Sequence, residues 1–318
     1  MKRGFAALVL SCVATAAPAQ EFPARTVHLV IPYTPGTGAD ILARVLAPKF
    51  SERWNFAVVV ENRPGATGNI GAEVVAKRAA DGHALLLAAT SFATNPALTR
   101  SLPFDPVKSF EPVGLVATSA LAVIVNAQLP ARTAREFVEL ARRQPGKLYY
   151  GSPGSGGVQH LAMELLKLET GIDVVHVPYK GLGGAVADLI AGQVQVMISA
   201  LQSVAPHVHA GRLRMLGVMS AQRAAAFPEV PTLKEQSLPD LEVETWYALF
   251  APAGTPAKAV SRVNGDLRSI MEDAAIRDLF AKQGMNTAPG TPEQMGERLR
   301  SELARWARVV QAAGIKAD

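Results

Sequence analysis

The chain has 318 residues, of which 49% are hydrophobic and 19% charged, enough apolar residues for about two folded domains of typical size. This composition excludes intrinsic disorder, and a single cysteine excludes both an intrachain disulfide and a zinc site built from cysteines. The net charge of +5 comes from 32 basic and 27 acidic residues spread along the chain, so we expect no binding of nucleic acid.

The N-terminal segment has the order of a secretory signal peptide. A short basic stretch precedes an apolar run over residues 5–17, and residues 17–19 (Ala-Pro-Ala) fit the cleavage pattern of small residues. We therefore expect cleavage after Ala19, loss of the cysteine, and a periplasmic mature protein. A second interpretation stays open, because residues 9–12 loosely resemble a lipoprotein box that would anchor Cys12 to a lipid.

Beyond the signal segment, apolar strands, turns and amphipathic helices alternate. This order is typical of an α/β fold with parallel strands. The predicted strands lie at residues 27–32, 57–61, 83–89, 147–152, 174–177, 194–198 and 213–219. The predicted helices lie at residues 41–50, 70–80, 133–143, 158–165 and 184–191.

Two further apolar strands flank the middle of the chain. They are predicted at residues 121–125 and 246–250, and each is adjacent to a turn that contains proline. We expect the chain to cross between two domains at these strands. The C-terminal part is predicted to be helical, with an apolar stripe that packs on the first domain and consists of Met295, Leu299, Leu303, Trp306 and Val310.

Two glycine-rich loops, at residues 33–40 and 151–157, each follow an apolar strand and open a helix. Such a loop directs several backbone N–H groups to one place at the positive end of the helix dipole, where an anion binds well. In an α/β sheet these loops lie at the carboxyl ends of strands, where ligands bind. A tight turn without a ligand is the alternative for either loop alone, but the repeated design favours a shared carboxylate site.

Sharper motifs are absent from both loops. Ile41 and Gln159 stand where a dinucleotide fingerprint has Gly or Ala, and neither loop has the Lys-Ser/Thr pair of a P-loop. The sequence also has no evident metal cluster or Ser-His-Asp constellation, so we expect a binding protein without cofactor or catalysis. His160 has either a structural role or a role in the site. The rival interpretation is an exported hydrolase that uses Ser152 or Ser155, although neither lies in a G-x-S-x-G elbow.

Five segments carry a resemblance to a known family. They are residues 35–44 (PGTGADILAR), 60–71 (VENRPGATGNIG), 176–181 (HVPYKG), 227–232 (FPEVPT) and 251–256 (APAGTP). In these segments, and over essentially the whole chain after the signal peptide, the protein resembles the Bug family of extracytoplasmic solute receptors. Members of that family are the binding proteins of tripartite tricarboxylate transporters.

The resemblance implies an α/β, two-lobed periplasmic binding protein of the Venus-flytrap type (type II-like), with a parallel-rich sheet in each lobe and two crossing strands. Residues 1–19 would be the signal peptide, residues 20–122 with 246–318 the first lobe, and residues 123–245 the second. A small organic carboxylate would bind between the lobes of a monomer, and membrane subunits of the transporter would be the partners. A receptor that feeds a membrane sensor kinase would use the same fold.

The resemblance also implies which residues hold the ligand. They are Tyr33, Thr34, Gly36, Thr37, Gly38, Asp40, Ser91, Asn95, Ser152, Ser155, Gly156, Tyr179, Gly181 and Ser199. Two departures from the family pattern matter: Thr37 replaces a usual glycine, and Gln195 and Ser199 stand where aspartate is common. Because an ammonium group requires a nearby carboxylate, the serine at 199 favours a ligand without an amine.

Overall fold

The computed structural model of the protein describes residues 22–99, 101–239, 241–312 and 314–315. The predicted signal peptide and the alternative lipid anchor at Cys12 lie outside the described residues. Within these ranges, none of the helices combines the length and the apolar character that a membrane crossing requires.

Strands and helices alternate along the chain as the sequence predicts. The strands are β1 (Val27–Ile31), β2 (Val58–Asn62), β3 (Ala84–Ala89), β4 (Phe110–Asn126), β5 (Tyr149–Ser152), β6 (Val175–Pro178), β7 (Val196–Ala200), β8 (Leu213–Val218), β9 (Glu244–Pro252) and β10 (Met285–Thr287). The α-helices are α1 (Gly38–Trp54), α2 (Asn69–Ala76), α3 (Ser91–Thr94), α4 (Ala134–Arg143), α5 (Val158–Thr170), α6 (Leu182–Ala191), α7 (Leu201–His209), α8 (Ala257–Met271), α9 (Ala274–Ala281) and α10 (Pro292–Ala312).

The strands form a curled mixed sheet with two halves that share β4. The first half-sheet has the order β2-β1-β3-β9-β4, and β10 also pairs with β4. The second has the order β4-β7-β5-β6, and β8 also pairs with β4. Each half contains parallel pairs, β1 with β2 and β3, and β5 with β6 and β7. The pairs made by β4 and β9 are antiparallel.

The long strand β4 passes from one half-sheet to the other. Its residues up to Ala120 pair with β9, and its residues from Leu121 pair with β7. The sequence predicts only the last part of this strand, because Pro112 and Gly114 interrupt the apolar pattern where the register of the first part shifts. Both expected crossing segments are strands, and the division of the chain into lobes stays a prediction.

The core covers both faces of the first half-sheet. Leu42 and Phe50 of α1 pack with strand residue Leu29 on one face. On the other face, the buried Leu299 and Trp306 of α10 belong to the same cluster as Trp246 of β9, as the apolar stripe of the last helix predicts. With helices on both sides, the loops at the strand ends are where ligands have access to the sheet.

Candidate ligand-binding site

A cavity of about 410 Å³ lies where the carboxyl ends of β1, β2, β5 and β6 and the start of β9 come together. Both glycine-rich loops contribute to it. Such an edge of an α/β sheet binds ligands because its loops lead into helix N-termini. The cavity is lined by Pro32, Tyr33, Thr34, Thr37, Gly38, Ala39, Pro64, Gly65, Ala66, Thr67, Gly68, Ala89, Ser91, Pro153, Gly154, Gly157, Val158, Gln159, Tyr179, Lys180, Gly181, Leu182, Ala200, Ser203, Thr245 and Tyr247.

Asp40 fixes the shape of the first glycine-rich loop. Its carboxylate accepts hydrogen bonds from the backbone N–H of Gly36, from Asn62 and from Arg44, each over 3.0 Å. Burial opposes the ionisation of Asp40, but these hydrogen bonds outweigh burial and lower the pKa of the carboxyl below its ordinary value. Asp40 is 3% exposed and does not line the cavity, so it positions the loop.

The first loop turns the amino end of α1 toward the cavity. Thr37 is the N-cap residue, and its hydroxyl donates to the backbone carbonyl of Thr34 over 3.0 Å instead of capping the helix. Thr37, Gly38 and Ala39 all line the cavity. Because the first N–H groups of a helix have no partner within it and carry the positive end of its dipole, this wall favours an anion.

A series of buried hydrogen bonds holds Tyr247 against the first residue of α1. The Ser119 hydroxyl donates to the side-chain oxygen of Gln202, and the Gln202 nitrogen donates to the Tyr247 hydroxyl, both over 2.6 Å. A Cβ on Gly38 would overlap both the Tyr247 hydroxyl and the Gln202 amide. Burial raises the pKa of Tyr247, so its hydroxyl stays protonated and, having accepted from Gln202, can donate its own proton.

Tyr33 presents a second neutral hydroxyl to the site. Its oxygen lies 2.7 Å from the Ser91 hydroxyl and accepts the backbone N–H of Ala89 over 2.9 Å. Burial raises the pKa of Tyr33 to about 12, so the phenol is not ionised at neutral pH. Tyr33 and Ser91 come from the ends of β1 and β3, which are adjacent parallel strands.

Two stacked histidines support the second glycine-rich loop. The backbone N–H of Gly156 donates to Nδ1 of His160 over 3.1 Å, and the Ser152 hydroxyl lies 2.7 Å from Nε2 of His176. The two imidazole rings stack with their centroids 4.1 Å apart. Burial, followed by the neighbouring His160, lowers the pKa of His176 to about 4. Of the two roles open to His160 from the sequence, the structure shows the structural one.

Ser152 and His176 are hydrogen-bonded as a serine nucleophile and its base are. Sequence reasoning missed this pair because the two residues belong to different strands, β5 and β6, which the register brings together. Ser152 is 0% exposed, does not line the cavity, and has its hydroxyl 2.9 Å from the carbonyl oxygen of Gly154. The geometry therefore assigns the hydroxyl to hydrogen bonding within the loop.

The turn after β6 meets the first loop across the cavity. A Cβ on Gly181 would lie 2.7 Å from Cγ2 of Thr34, so the two segments are in close contact. The Tyr179 hydroxyl donates to Asp188 over 2.7 Å. Burial, and next the Asp188 carboxylate, raises the pKa of Tyr179 to about 12, which leaves this side chain neutral.

The structure separates the predicted site residues into two groups. Those that line the cavity are Tyr33, Thr34, Thr37, Gly38, Ser91, Tyr179 and Gly181. Those that lie outside the lining are Gly36, Asp40, Asn95, Ser152, Ser155, Gly156 and Ser199. In the second group, Asn95 donates to the carbonyl oxygen of Thr67, and Ser199 is buried in β7. Contact of any of these residues with a ligand stays a prediction.

Sequence reasoning missed Ala200 and Ser203, at the junction of β7 and α7, and two larger parts of the lining. Residues 64–68 follow β2 as the first glycine-rich loop follows β1, and their glycines fall in one of the five segments that carry the family resemblance. The position of residues 64–68 after a strand and within a resemblance segment could have indicated that they belong to the site. Thr245 and Tyr247 lie at the start of β9, which reads in the sequence only as an apolar crossing strand.

The cavity has few charges. Among the described residues that line it, Lys180 is the only charged one, and none has a carboxylate side chain. Tyrosine, threonine and serine hydroxyls and the amide of Gln159 supply the uncharged polar groups, and prolines, alanines, a valine and a leucine supply apolar surface. In the described parts of the chain, no group of three or more His, Cys, Asp or Glu side chains is placed to hold a metal ion.

Comparison with known proteins gives consistent matches. Residues 42–315 match the family described as tripartite tricarboxylate transporter family receptor. BugT of Bordetella pertussis (strain Tohama I) is 34% identical over 306 residues, which cover 96% of this chain and 94% of BugT.

Two solved structures extend this comparison. An R. palustris protein solved with adipate is 33% identical, with a TM-score of 0.90 over 93% of this chain and 99% of that one. MatC from Rhodopseudomonas palustris, solved with bound malate, is 28% identical, with a TM-score of 0.86 over 91% of this chain and 100% of MatC. These matches confirm the two-lobed α/β binding-protein fold that the sequence resemblance implies. The chain belongs to the receptor family of the tripartite tricarboxylate transporters.

Proposed function

We propose that the protein is a periplasmic receptor that binds a small organic carboxylate in the cavity and supplies it to a tripartite tricarboxylate-type transporter. The observation that carries the proposal is the amino end of α1 at the wall of a cavity whose described lining contains no carboxylate. Structures of the same fold were solved with adipate and with malate, which are both carboxylic acids.

The size of the cavity fits a small molecule. Its volume of about 410 Å³ lies within the range of roughly 300–1,000 Å³ that is typical of small-molecule sites. The mixture of apolar surface and a few hydroxyl donors is also typical, because apolar contacts supply affinity while the donors orient the ligand. An aliphatic or aromatic carboxylate of modest length suits this lining.

The ligand lacks an amine in this proposal. An ammonium group buried without a carboxylate partner is strongly unfavourable, and none of the described lining residues is Asp or Glu. The nearby Asp40 is already hydrogen-bonded to three donors within its own loop. Ser199, which stands at a position where the family often has aspartate, is buried in β7 and has no charge.

A thermal-shift screen with the mature chain tests the ligand class. Adipate, malate, citrate and benzoate serve as simple carboxylates, and glutamate serves as the amine-bearing comparison. A ligand present at 100 times its Kd stabilises the folded state by about 2.7 kcal/mol, so a genuine ligand raises the melting temperature measurably. We expect at least one simple carboxylate to exceed glutamate. Glutamate as the strongest ligand of the five would contradict the proposal.

A matched pair of variants connects the shift to the cavity. Tyr247→Phe removes the hydroxyl of a tyrosine that lines the cavity, whereas Tyr149→Phe removes the hydroxyl of an exposed tyrosine outside it. We expect the first variant to lose affinity for the best carboxylate from the screen and the second to keep it. Equal affinity in both variants would place binding elsewhere.

We further propose that the receptor acts as a monomer and hands its ligand to the membrane subunits of the transporter. Light scattering of the ligand-loaded mature protein is expected to give the mass of one chain. Deletion of the gene is expected to abolish uptake of the same carboxylate by whole cells. Retained uptake together with a lost transcriptional response to the ligand would instead indicate a sensory receptor.

Binding without turnover is also part of the proposal, and the Ser152–His176 pair makes it worth testing. Ser152→Ala is expected to leave ligand binding intact, and the wild-type protein is expected to return the bound carboxylate, or its methyl ester, unchanged. Ester hydrolysis that disappears in Ser152→Ala would establish the rival hydrolase.

Mass spectrometry of the exported protein tests its location: we expect an N-terminus at Gln20, whereas a lipid-modified Cys12 would establish the anchored form.

A further inference from the structure

We propose that the hydroxyls of Thr67 and Thr94 hold the two lobes together by hydrogen bonding to consecutive backbone carbonyls of the second glycine-rich loop, and so set the equilibrium between open and closed forms. The two hydrogen bonds join protein groups to each other, so their effect on the equilibrium does not depend on the identity of the ligand. The inference rests on the proposed receptor function only in expecting the two half-sheets, with their helices, to move apart as lobes.

Thr94 carries the clearer of the two contacts. It ends α3, which directly follows β3 of the first half-sheet, and it is 0% exposed. Its hydroxyl donates to the carbonyl oxygen of Gly156 over 2.5 Å, whereas the acceptor in its own helix, the carbonyl of Ser91, is 3.4 Å away. Gly156 follows β5 of the second half-sheet. Thr94 does not line the cavity, so its contribution to closure is separate from ligand contact.

Thr67 makes the second contact from a strained backbone. Its hydroxyl donates to the carbonyl oxygen of Ser155 over 2.8 Å. Its φ of 53° lies in the left-handed region, which a β-branched residue rarely adopts, and Ala66 before it has a φ of 45°. Such a conformation persists only where the surroundings impose it. Asn95 does so from the same lobe by donating to the carbonyl oxygen of Thr67 over 3.0 Å.

The glycines of the second loop fit this contact between lobes. A Cβ on Gly154 would lie 2.9 Å from the Thr67 hydroxyl oxygen, and a Cβ on Gly156 would lie 3.0 Å from Leu98. From the sequence, these glycines are predicted to leave space for an anion near the backbone. In the structure, Gly156 meets the opposite lobe and lies outside the cavity lining, so a small residue there serves the close approach of the lobes as well as the left-handed backbone, whose φ is 80°.

The threonine pair has a defined thermodynamic effect. Its two hydrogen bonds exist when the lobes are closed, and both break when the second glycine-rich loop moves away. Removing one neutral hydrogen bond from the closed form lowers the ratio of closed to open molecules by about 2- to 12-fold. Because the apparent affinity is proportional to the fraction of competent molecules, every ligand that needs the closed form loses affinity equally, by at most about 2- to 12-fold.

Spin-label distance measurements on the ligand-free mature chain test the inference. The mature chain has no cysteine, so labels are attached to cysteines introduced at Lys77 and Glu169, which lie at the exposed far ends of α2 and α5. Thr94→Val removes the hydroxyl and keeps the shape, and Thr94→Ser restores the hydroxyl. Thr170→Val is the matched control, because Thr170 is also buried but donates within its own lobe, to Leu166 over 2.5 Å.

We expect Thr94→Val to shift the distance distribution toward the open form, and Thr94→Ser and Thr170→Val to match the wild type. An unchanged distribution in Thr94→Val, or an equal shift in Thr170→Val, overturns the inference. If Thr94→Val does not fold, Thr67→Val decides by the same criterion. The measurement uses no carboxylate, so it fails or succeeds independently of the ligand screen.

Discussion

The carboxylate oxygen of Asp40 lies 3.0 Å from the backbone nitrogen of Gly36, and this contact closes the first glycine-rich loop on itself. The contact spans four residues and places a buried anion behind the loop that faces the cavity. The loop therefore owes its shape to a side chain that the cavity does not expose, and the amino end of α1 can direct its N–H groups outward.

Replacing Asp40 tests this support. Asp40→Ala leaves the donors of Gly36, Asn62 and Arg44 without their acceptor, which typically costs about 1–3 kcal/mol for buried groups. We expect the free energy of unfolding in urea to fall by that amount and ligand affinity to fall with it. Asp40→Asn keeps one acceptor oxygen and is expected to be intermediate. Wild-type stability in Asp40→Ala would show that the loop does not depend on this carboxylate.

Gly36 and Gly38 are expected to respond differently to substitution by alanine. A Cβ on Gly38 overlaps Tyr247 and Gln202, so Gly38→Ala should abolish binding, and adding Tyr247→Phe should recover part of the stability. At Gly36 nothing lies within 4 Å of a Cβ, and the cost is that of a φ of 83°, about 1–2 kcal/mol. Gly36→Ala should therefore still bind ligand, although its folded state is less stable than that of the wild type. Calorimetry and urea unfolding distinguish these outcomes.

Removing the hydroxyl of Tyr33 is expected to weaken the site without unfolding it. Tyr33→Phe leaves the N–H of Ala89 without an acceptor and the Ser91 hydroxyl without a partner on that side. We expect a loss of stability of about 1–3 kcal/mol and a weaker response in the carboxylate screen. Ser91→Ala serves as the control, because the Ala89 N–H keeps its acceptor. A loss of stability in Ser91→Ala as large as that in Tyr33→Phe would contradict the role given to the Tyr33 hydroxyl.

His176 is expected to make the protein less stable in acid. Its pKa is about 4 in the folded protein and near 6.5 when exposed, so between these values the unfolded chain binds more protons. Stability therefore falls as the pH drops from about 6.5 to 4 and levels off below that. The charged groups near the ring are His160, Glu164 and Lys167, and the Ser152 hydroxyl and the ring of Tyr150 contact it directly.

The acid effect is measured as the change in melting temperature between pH 7 and pH 4.5. In His176→Gln this change should be smaller than in the wild type, because glutamine does not titrate. His209→Gln, at an exposed histidine, is the comparison and should behave as the wild type. An equal acid response in all three proteins would exclude His176 as the source.

Lys180 is expected to contribute modestly to affinity. It is exposed at the cavity, and exposed ion pairs contribute about 0–1 kcal/mol, which corresponds to at most about a fivefold change in Kd. Lys180→Met should bind the best carboxylate up to about fivefold more weakly, and its binding should depend less on salt. Lys180→Arg should keep the wild-type affinity and salt dependence. A loss of a hundredfold or more in Lys180→Met would show a desolvated ion pair instead.

Local patterns in the sequence account for much of the fold. Apolar runs predicted β1, β2, β3 and β5 through β9. In β3 and β7 the continuous apolar run reflects burial on both faces, whereas β2 and β6 at the edges are partly exposed. The first part of β4 was missed because Pro112 and Gly114 break that signature, and the strand exists through its pairing with β9. Pairing is a tertiary property that short-range patterns do not record.

The site was predictable to the extent that it follows strand ends. Tyr33 and Ser91 come just after the apolar strands β1 and β3, which the parallel order brings together, and Thr37 is the N-cap residue of the helix that follows β1. Tyr247 was not predictable in this way, because its hydroxyl is placed by Gln202 from a distant helix. The family resemblance assigned Ser152 and Gly156 to the site, whereas their side-chain and backbone contacts depend on His176, His160 and Thr94.

The sequence by itself determined the alternation of strands and helices, the two glycine-rich loops at strand ends, and the family. These features depend on residues close together in the chain, whose periodicity and turn preferences act locally. Only the tertiary structure decided which side of each loop meets the cavity and which meets the opposite lobe. The physical reason is that Gly38 and Gly156 owe their roles to partners far away in sequence, Tyr247 and Thr94, which become neighbours only when both half-sheets pack around β4.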